Sequence, residues 1–416
     1  MDVVTNMRFL TFKIAQERGK FMINSSNFFL NNFFELENSP CECKKETVYT
    51  APGVDPSFVL KVCAKSDTDT LRFSYSAQKG LNLSGNAGGV ISENILGQLL
   101  AIKPNDIEAT IDFLQKYGFI FPVSSDTYET VDGTALLEIL NRIKATVKLM
   151  SAIAGKKDYK AILIYTTYLL FSDPVEMVLS SINYKTNFHP FTELIREYNV
   201  IPDLNRNQEF FDTECISIFD TLKGDYKKLD VNELAGMSSG DGISGLAGSR
   251  DSHFRNLFCL YTTYNVADEN LRNIIDFYYN YQKKVGIIKD VEPTRISYHA
   301  KAMKENFSDD MKEMLVKIAR IVISEEINAN LKNICPQLEI NALAPTWKLN
   351  NLLEALYFSV FYMKPGVELY KECENPNCKH EKYFLINATV TNKKYCCPAC
   401  ANAAAQRRSR QRKLGK

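Results

Sequence analysis

The C-terminal stretch Cys373-Glu-Asn-Pro-Asn-Cys378, then Lys393-Lys-Tyr-Cys396-Cys397-Pro-Ala-Cys400, then Ala401-Asn-Ala-Ala-Ala-Gln-Arg-Arg-Ser-Arg-Gln-Arg-Lys413, decides how this chain is read. Five of the eleven cysteines fall within 28 residues, Cys373 to Cys400. Zinc takes soft ligands in a tetrahedron, usually as two close pairs separated by a short loop. Cys373 and Cys378 form the first pair. Cys400 forms the second with either Cys396 or Cys397, and His380 is an alternative donor. A unit this small cannot build a sufficient core, and metal binding supplies its folding free energy. The spacing therefore predicts one zinc ion. Four thiolates leave no open position for water, so its role is structural.

Beyond Cys400, alanines and arginines favour a helix. Its cations Arg407, Arg408, Arg410, Arg412 and Lys413 lie in the C-terminal half, where they complement the helix dipole. Spread around the helix, they suit a groove with phosphates on both walls. The net charge of the whole chain is only +1, but it is unevenly placed. From Lys371 onward there are eleven Lys and Arg against three acids, a net of +8, and the preceding 370 residues carry −7. Four thiolates on one Zn²⁺ would leave the tail near +6, or about −2 from its formal charge. A mildly acidic body with a basic end points to an anion-binding or solvated tail.

The other cysteines (Cys41, Cys43, Cys63, Cys215, Cys259 and Cys335) are scattered, and an odd total argues against a disulfide framework. Cys41-Glu-Cys43 is too tightly spaced for a zinc knuckle and reads as strand or loop. The first residues lack a basic n-region and an apolar h-region. The longest apolar stretch, Ala161–Phe171, is too short to span a bilayer. A cytoplasmic protein without a membrane span follows.

The expected fold class is α+β, mostly α. Residues 1–78 read as β-rich, 79–365 as a helical body, and 366–416 as the finger with its basic helix. Thr70–Ser76 alternates apolar with polar as a half-buried strand does, and Phe58–Ala64 and Glu46–Ala51 are further strand candidates. Gly80–Gly89 reads as a glycine- and asparagine-rich loop. Helices are expected at Asp106–Tyr117 before Gly118, Thr134–Ala154, Ala161–Ile182 with a break at Pro174, Phe254–Val285, after the N-cap Ser308, and at Lys348–Met363. Residues 235–250 contain Gly240-x-Gly-x-x-Gly245. The preceding segment is too charged for a buried strand, so this reads as a flexible segment and not as a dinucleotide fingerprint.

With these residues in view, the C-terminal part resembles the CGNR-type zinc finger, a treble clef that closes bacterial proteins with a larger helical part. The resemblance rests on Cys373-x4-Cys378, Phe384, Tyr395-Cys396, Cys400-Ala401-Asn402 and the Ala/Arg helix, and covers about the last 70 residues. In such fingers an aromatic residue precedes the third ligand and a Ser often follows it. This implies Cys373, Cys378, Cys396 and Cys400 as ligands, with Cys397 at the Ser position. The signature itself reads Cys400-Ala401-Asn402-Ala403 here, without its Gly and Arg.

The family is regarded as one of transcription regulators, which implies DNA, ahead of RNA, as partner. Asn402, Gln406 and the five cations are the candidate contacts. A protein- or RNA-interaction module is the competing function. No catalytic residues are identified. His189, His253, His299 and His380 stand singly, without a nucleophile elbow or an HExxH motif, so an enzyme is not expected.

Overall fold

The structure is a computed structural model that describes residues 34–48, 57–65, 70–76, 80–84, 90–197, 257, 260–261, 268–298, 301–338, 345–363, 368–387 and 392–414. Along the chain come β1 (Glu35–Asn38), β2 (Cys41–Val48), β3 (Ser57–Ala64), β4 (Leu71–Ser76), β5 (Gly80–Ser84), β6 (Val90–Asn94), α1 (Ile95–Ala101), α2 (Ile107–Tyr117) and β7 (Glu129–Asp132). Next are α3 (Gly133–Ala154), α4 (Tyr159–Phe171), β8 (Glu176–Val178), β9 (Asn183–Lys185), α5 (Pro190–Glu197), α6 (Glu269–Lys284), β10 (Ile288–Glu292), β11 (Arg295–Tyr298) and α7 (Asp309–Leu331). The chain ends with β12 (Cys335–Leu338), β13 (Pro345–Lys348), α8 (Leu352–Tyr362), β14 (Glu368–Glu372), β15 (Tyr383–Asn387) and α9 (Pro398–Leu414). The fold is α+β and mostly α. Among the described residues no helix is long and apolar enough to cross a membrane.

The chain divides into two compact units. The first holds residues 1–130, 179–182 and 331–416, and the second holds 131–178 and 183–330. In the first, β1, β4, β5 and β6 form an antiparallel sheet in the order β1-β4-β5-β6, and β2 pairs antiparallel with β3. Helix α8 packs on β1 and β5, and α2 packs on β2. Aromatic rings fill the space. Phe34 stacks on Tyr75 at 5.0 Å and meets Phe358 at 5.1 Å. Cys41 and Cys43 are buried strand residues: the Cys41 thiol donates to the Leu114 carbonyl at 3.2 Å, and burial pushes it up to about 12.

Local signals hold where they are self-contained. Asp106 caps α2 by accepting from the Ala109 amide, and Gly118 ends it at φ 82°. Ser308 Oγ accepts from the Met311 amide at the start of α7. Three expectations are corrected. Residues Gly80–Ser84 are strand β5 and not loop, while residues 85–89 lie outside the described residues. A Cβ on Gly80 would meet Asn94 Nδ2 at 2.8 Å and the Tyr370 hydroxyl at 3.2 Å, so glycine marks a close approach within a sheet. The helix expected over Ala161–Ile182 with a break at Pro174 ends at Phe171, as Pro174 disfavours helical backbone at Asp173, and it does not resume: the β8–β9 hairpin follows. Lys348 belongs to β13. Helix α8 begins four residues later, where Asn351 Oδ1 accepts from the Glu354 amide at 2.8 Å. Residues 235–250 and most of 254–267 lie outside the described residues.

The β14–β15 hairpin packs within the first unit. Helix α1 packs against β15, and Asn94 Oδ1 accepts from both the Gly97 amide and the Tyr370 hydroxyl, each at 2.8 Å. A Cβ on Gly97 would lie 2.5 Å from the Tyr383 carbonyl oxygen, a backbone atom that cannot swing away. Gly97→Ala gains helix propensity but forces the hairpin off α1, for an expected net loss of about 1–2 kcal/mol. A denaturant melt of the full chain reads this loss. Unchanged stability would mean that the hairpin is not held on α1.

In the second unit, α3 packs on α4, and α5 contacts both α4 and α6. Leu169, Phe171, Tyr278, Leu315 and Val322 are among its fully buried residues. Tyr278 donates to or accepts from Thr167 at 3.0 Å.

Candidate metal centre

Strands β14 and β15 pair from Glu368 with Asn387 to Glu372 with Tyr383, and the first cysteine pair lies in the turn between them. The turn is fixed by backbone hydrogen bonds. Cys373 N–H donates to the Lys382 carbonyl at 2.7 Å, and Cys378 N–H donates to the Asn375 carbonyl at 3.0 Å. Glu374 N–H donates to the Lys394 carbonyl at 2.9 Å, which brings the second cysteine segment alongside the first. Pro398 opens α9 at the position where a missing N–H does no harm, and Cys400 falls in its first turn.

The Sγ atoms of Cys373, Cys378, Cys396 and Cys400 all lie within 4.8 Å of one another. The three edges joining Cys378, Cys396 and Cys400 are each 3.6 Å. A tetrahedron with Zn–S bonds of ~2.3 Å has S···S edges of about 3.8 Å, whereas a disulfide needs about 2.05 Å. The four sulfurs are therefore spaced for a thiophilic cation and not for crosslinks. Cys373 and Cys400 are buried, and Cys378 and Cys396 half-buried.

Protein N–H donors reach the sulfurs unevenly. Burial raises the Cys373 thiol, but the amides of Cys396 and Asn375 aimed at its sulfur outweigh burial, and its pKa falls. The Asn375 side-chain amide donates to Cys400 Sγ at 3.2 Å and lowers that thiol. Burial and the Cys378 sulfur win, leaving it near 11. Burial, then the sulfurs of Cys378 and Cys400, push Cys396 up. Crowded sulfurs that resist charging together are the condition a divalent cation relieves.

No protein-family model, curated protein or solved structure matches the chain.

Cys397 stands outside the cluster, with its sulfur 3.7 Å from that of Cys396. The amides of Cys400 and then Ala399 point at its sulfur and lower its pKa. This is the part an N-cap side chain plays one residue before a helix. His380 is exposed and is not in the cluster.

Helix α9 presents the remaining candidates unevenly. Asn402, Gln406, Arg408, Arg410, Arg412 and Lys413 are exposed. Arg408 lies 3.4 Å from the Tyr395 hydroxyl. Arg407 is half-buried and donates instead to Asn375 Oδ1. Two of the finger's three acids are engaged elsewhere, Glu372 with Lys382 at 2.9 Å and Glu374 with Lys394 at 3.4 Å. None of the exposed α9 cations pairs with a carboxylate of a described residue.

Sequence reasoning did not single out Asn375, although it lies between the first two ligands and is almost fully buried. An asparagine two residues after a ligand was the available signal. Of the other histidines, His189 is buried in an ion cluster of the second unit, and His253 and His299 lie outside the described residues.

Proposed function

We propose that this chain is a zinc-dependent DNA-binding protein of the regulator type, in which a structural zinc ion on Cys373, Cys378, Cys396 and Cys400 orients helix α9 on the duplex. One observation carries the reading: a sulfur tetrahedron whose last member sits in the first turn of a helix bearing exposed cations that pair with no carboxylate of a described residue. When bound, zinc would supply a fixed, closed crosslink and no chemistry at an open position. The protein's own residues do the rest. The knuckle amides and Asn375 stabilise thiolates, Pro398 and Cys397 start the helix, and Arg408, Arg410, Arg412 and Lys413 reach phosphates. The resemblance to CGNR-type fingers supports the same reading. Ala403 stands exposed where that motif carries Arg, so the contacts weigh toward the backbone and away from base edges.

Each phosphate neutralised contributes about −0.9 to the slope of log K against log salt. Duplex binding by the zinc-loaded full-length protein is expected to show a slope of about −3 to −5, flattened by truncation after Gln406. Absence of binding by protein holding one zinc would sink the DNA reading. Salt-insensitive binding to a protein partner, or preference for RNA at equal salt, would favour the interaction module.

A further inference from the structure

The cations of α9 do not form one class. Cys400, Ala404 and Arg407 recur at helical spacing and are the members of α9 drawn toward the knuckle: Cys400 and Ala404 are buried and Arg407 half-buried. Ala405, Ser409 and Arg412 recur at the same spacing on the other side, and with Arg408 and Lys413 they line one open concave surface. Small residues flanked by long cations let a helix approach a polyanion closely while the cations reach out to either side.

Asn375 lies against the knuckle-facing side. Its Nδ2 donates to Cys400 Sγ at 3.2 Å, and its Oδ1 accepts from the Arg407 guanidinium. The side chain is almost fully buried, and its amide has both ends engaged. A guanidinium on the amide oxygen polarises the amide, which strengthens the N–H donated to sulfur. Partners that hydrogen-bond a metal ligand typically change metal affinity by 10–100-fold.

We infer that Arg407 and Asn375 are a positioning pair, binding the basic helix to the metal knuckle, and that the nucleic-acid face of α9 is centred on Ala405, Arg408, Ser409, Arg412 and Lys413. Arg407 is then withdrawn from phosphate contact. Metal occupancy and helix direction become one property, because the residue that steadies the Cys400 thiolate is held by the helix that Cys400 begins. The inference rests on the zinc and DNA readings above.

Four full-length variants test it: R407Q, R407K, N375A and R412Q. Zinc affinity is measured by chelator competition, and DNA binding by a salt series at saturating zinc. The sulfur-to-metal charge-transfer band is recorded after cobalt substitution. A hydrogen bond lowers the sulfur lone pair, so losing it moves the band to longer wavelength. R407Q and N375A are expected to weaken zinc about 10- to 100-fold and to shift the band, with the larger shift in N375A. R407K, which keeps a donor, recovers most of the affinity. R407Q keeps the wild-type salt slope, whereas R412Q loses about 0.9 of it with zinc affinity unchanged. Wild-type zinc affinity in R407Q, or a slope lowered in R407Q as in R412Q, would overturn the assignment. If R407Q fails to fold, an unshifted band in N375A overturns it and a shifted band with R407K near wild type sustains it. If the wild type binds no DNA, the proposed function fails alone. The zinc and cobalt measurements still decide the pair.

Discussion

Cys400→Ala is expected to strip the chain of bound zinc in the presence of a mild chelator, whereas Cys397→Ser retains it. Cys400 is buried and lies 3.6 Å from the sulfurs of both Cys378 and Cys396, so its loss removes a vertex of the tetrahedron. It also orphans the Asn375 amide. The affinity loss is expected to exceed the roughly 100-fold typical of a lost hydrogen-bonding partner, because a bond to the metal itself is removed. The consequence reaches past the metal. Structural zinc supplies about 10–16 kcal/mol of binding free energy to isolated fingers, and here the same hairpin is docked on α1 through Tyr370, Asn94 and Tyr383. Loss of metal is therefore expected to expose residues 366–416 to protease while the rest of the chain resists. Cys397→Ser keeps a side chain able to accept from the Cys400 and Ala399 amides, and so preserves the start of α9. Metal content by elemental analysis, with limited proteolysis, reads both results. Retention of zinc by Cys400→Ala, or its loss from Cys397→Ser, would mean that Cys397 is a ligand.

What the sequence discloses depends on how local the cause is. Ligand spacing is local: Cys373, Cys378 and Cys400 can be read from their separations because a knuckle and a helix turn fix them. Helix ends are local too, which is why Asp106, Gly118 and Ser308 are legible as caps. Gly80–Ser84 is not, because the reason for its glycine lies in Asn94 and in Tyr370, nearly three hundred residues away. Composition there says loop, and the tertiary neighbours say strand. The distinction between Arg407 and Arg412 is hidden in the same way. Both are arginines in one basic run, and only the placement of Asn375 turns one inward. The two compact units are likewise a product of long-range contacts, since residues 331–416 join residues 1–130 across nearly two hundred intervening ones.

His189 stands alone in the sequence, but its surroundings in the fold carry the other large effect expected in this protein. Its Nδ1 lies 2.5 Å from Glu325 Oε2 and its Nε2 lies 2.9 Å from Glu326 Oε1, so both ring nitrogens face carboxylate oxygens. With both carboxylates ionised, both nitrogens donate and the ring is an imidazolium. Arg142, almost completely buried on α3, donates to Glu326 and, at 3.2 Å, to the Asn187 carbonyl. Two cations thus balance two carboxylates in the interior of the second unit. Tyr184 stays neutral beside them, its hydroxyl pushed up by burial first and by Glu326 second. Burial opposes the charge on His189 and on Glu326, but the partners prevail: the His189 pKa is raised and that of Glu326 lowered.

Glu326→Gln keeps the shape and removes the shared anion. Arg142 and His189 are then left with Glu325, which is partly exposed. Breaking a buried ion cluster by removing one partner costs about 3–5 kcal/mol. For a unit of this size that corresponds to a fall of roughly 10 °C in unfolding temperature. The wild type should also show a stability plateau with two edges. The His189 contribution is complete below the ordinary 6.5 and is lost as pH rises through its raised pKa. The Glu326 contribution is complete above the ordinary 4.5 and is lost as pH falls through its lowered pKa. Both are present in full between pH 4.5 and 6.5. Thermal unfolding across that range and beyond, for wild type and Glu326→Gln, separates the cluster from other titrating groups. The alkaline edge should weaken in the variant, because the ring loses the anion that holds its second proton. A variant as stable as the wild type, with the same alkaline edge, would show that His189 is held neutral and that the four groups are not a charge-balanced set.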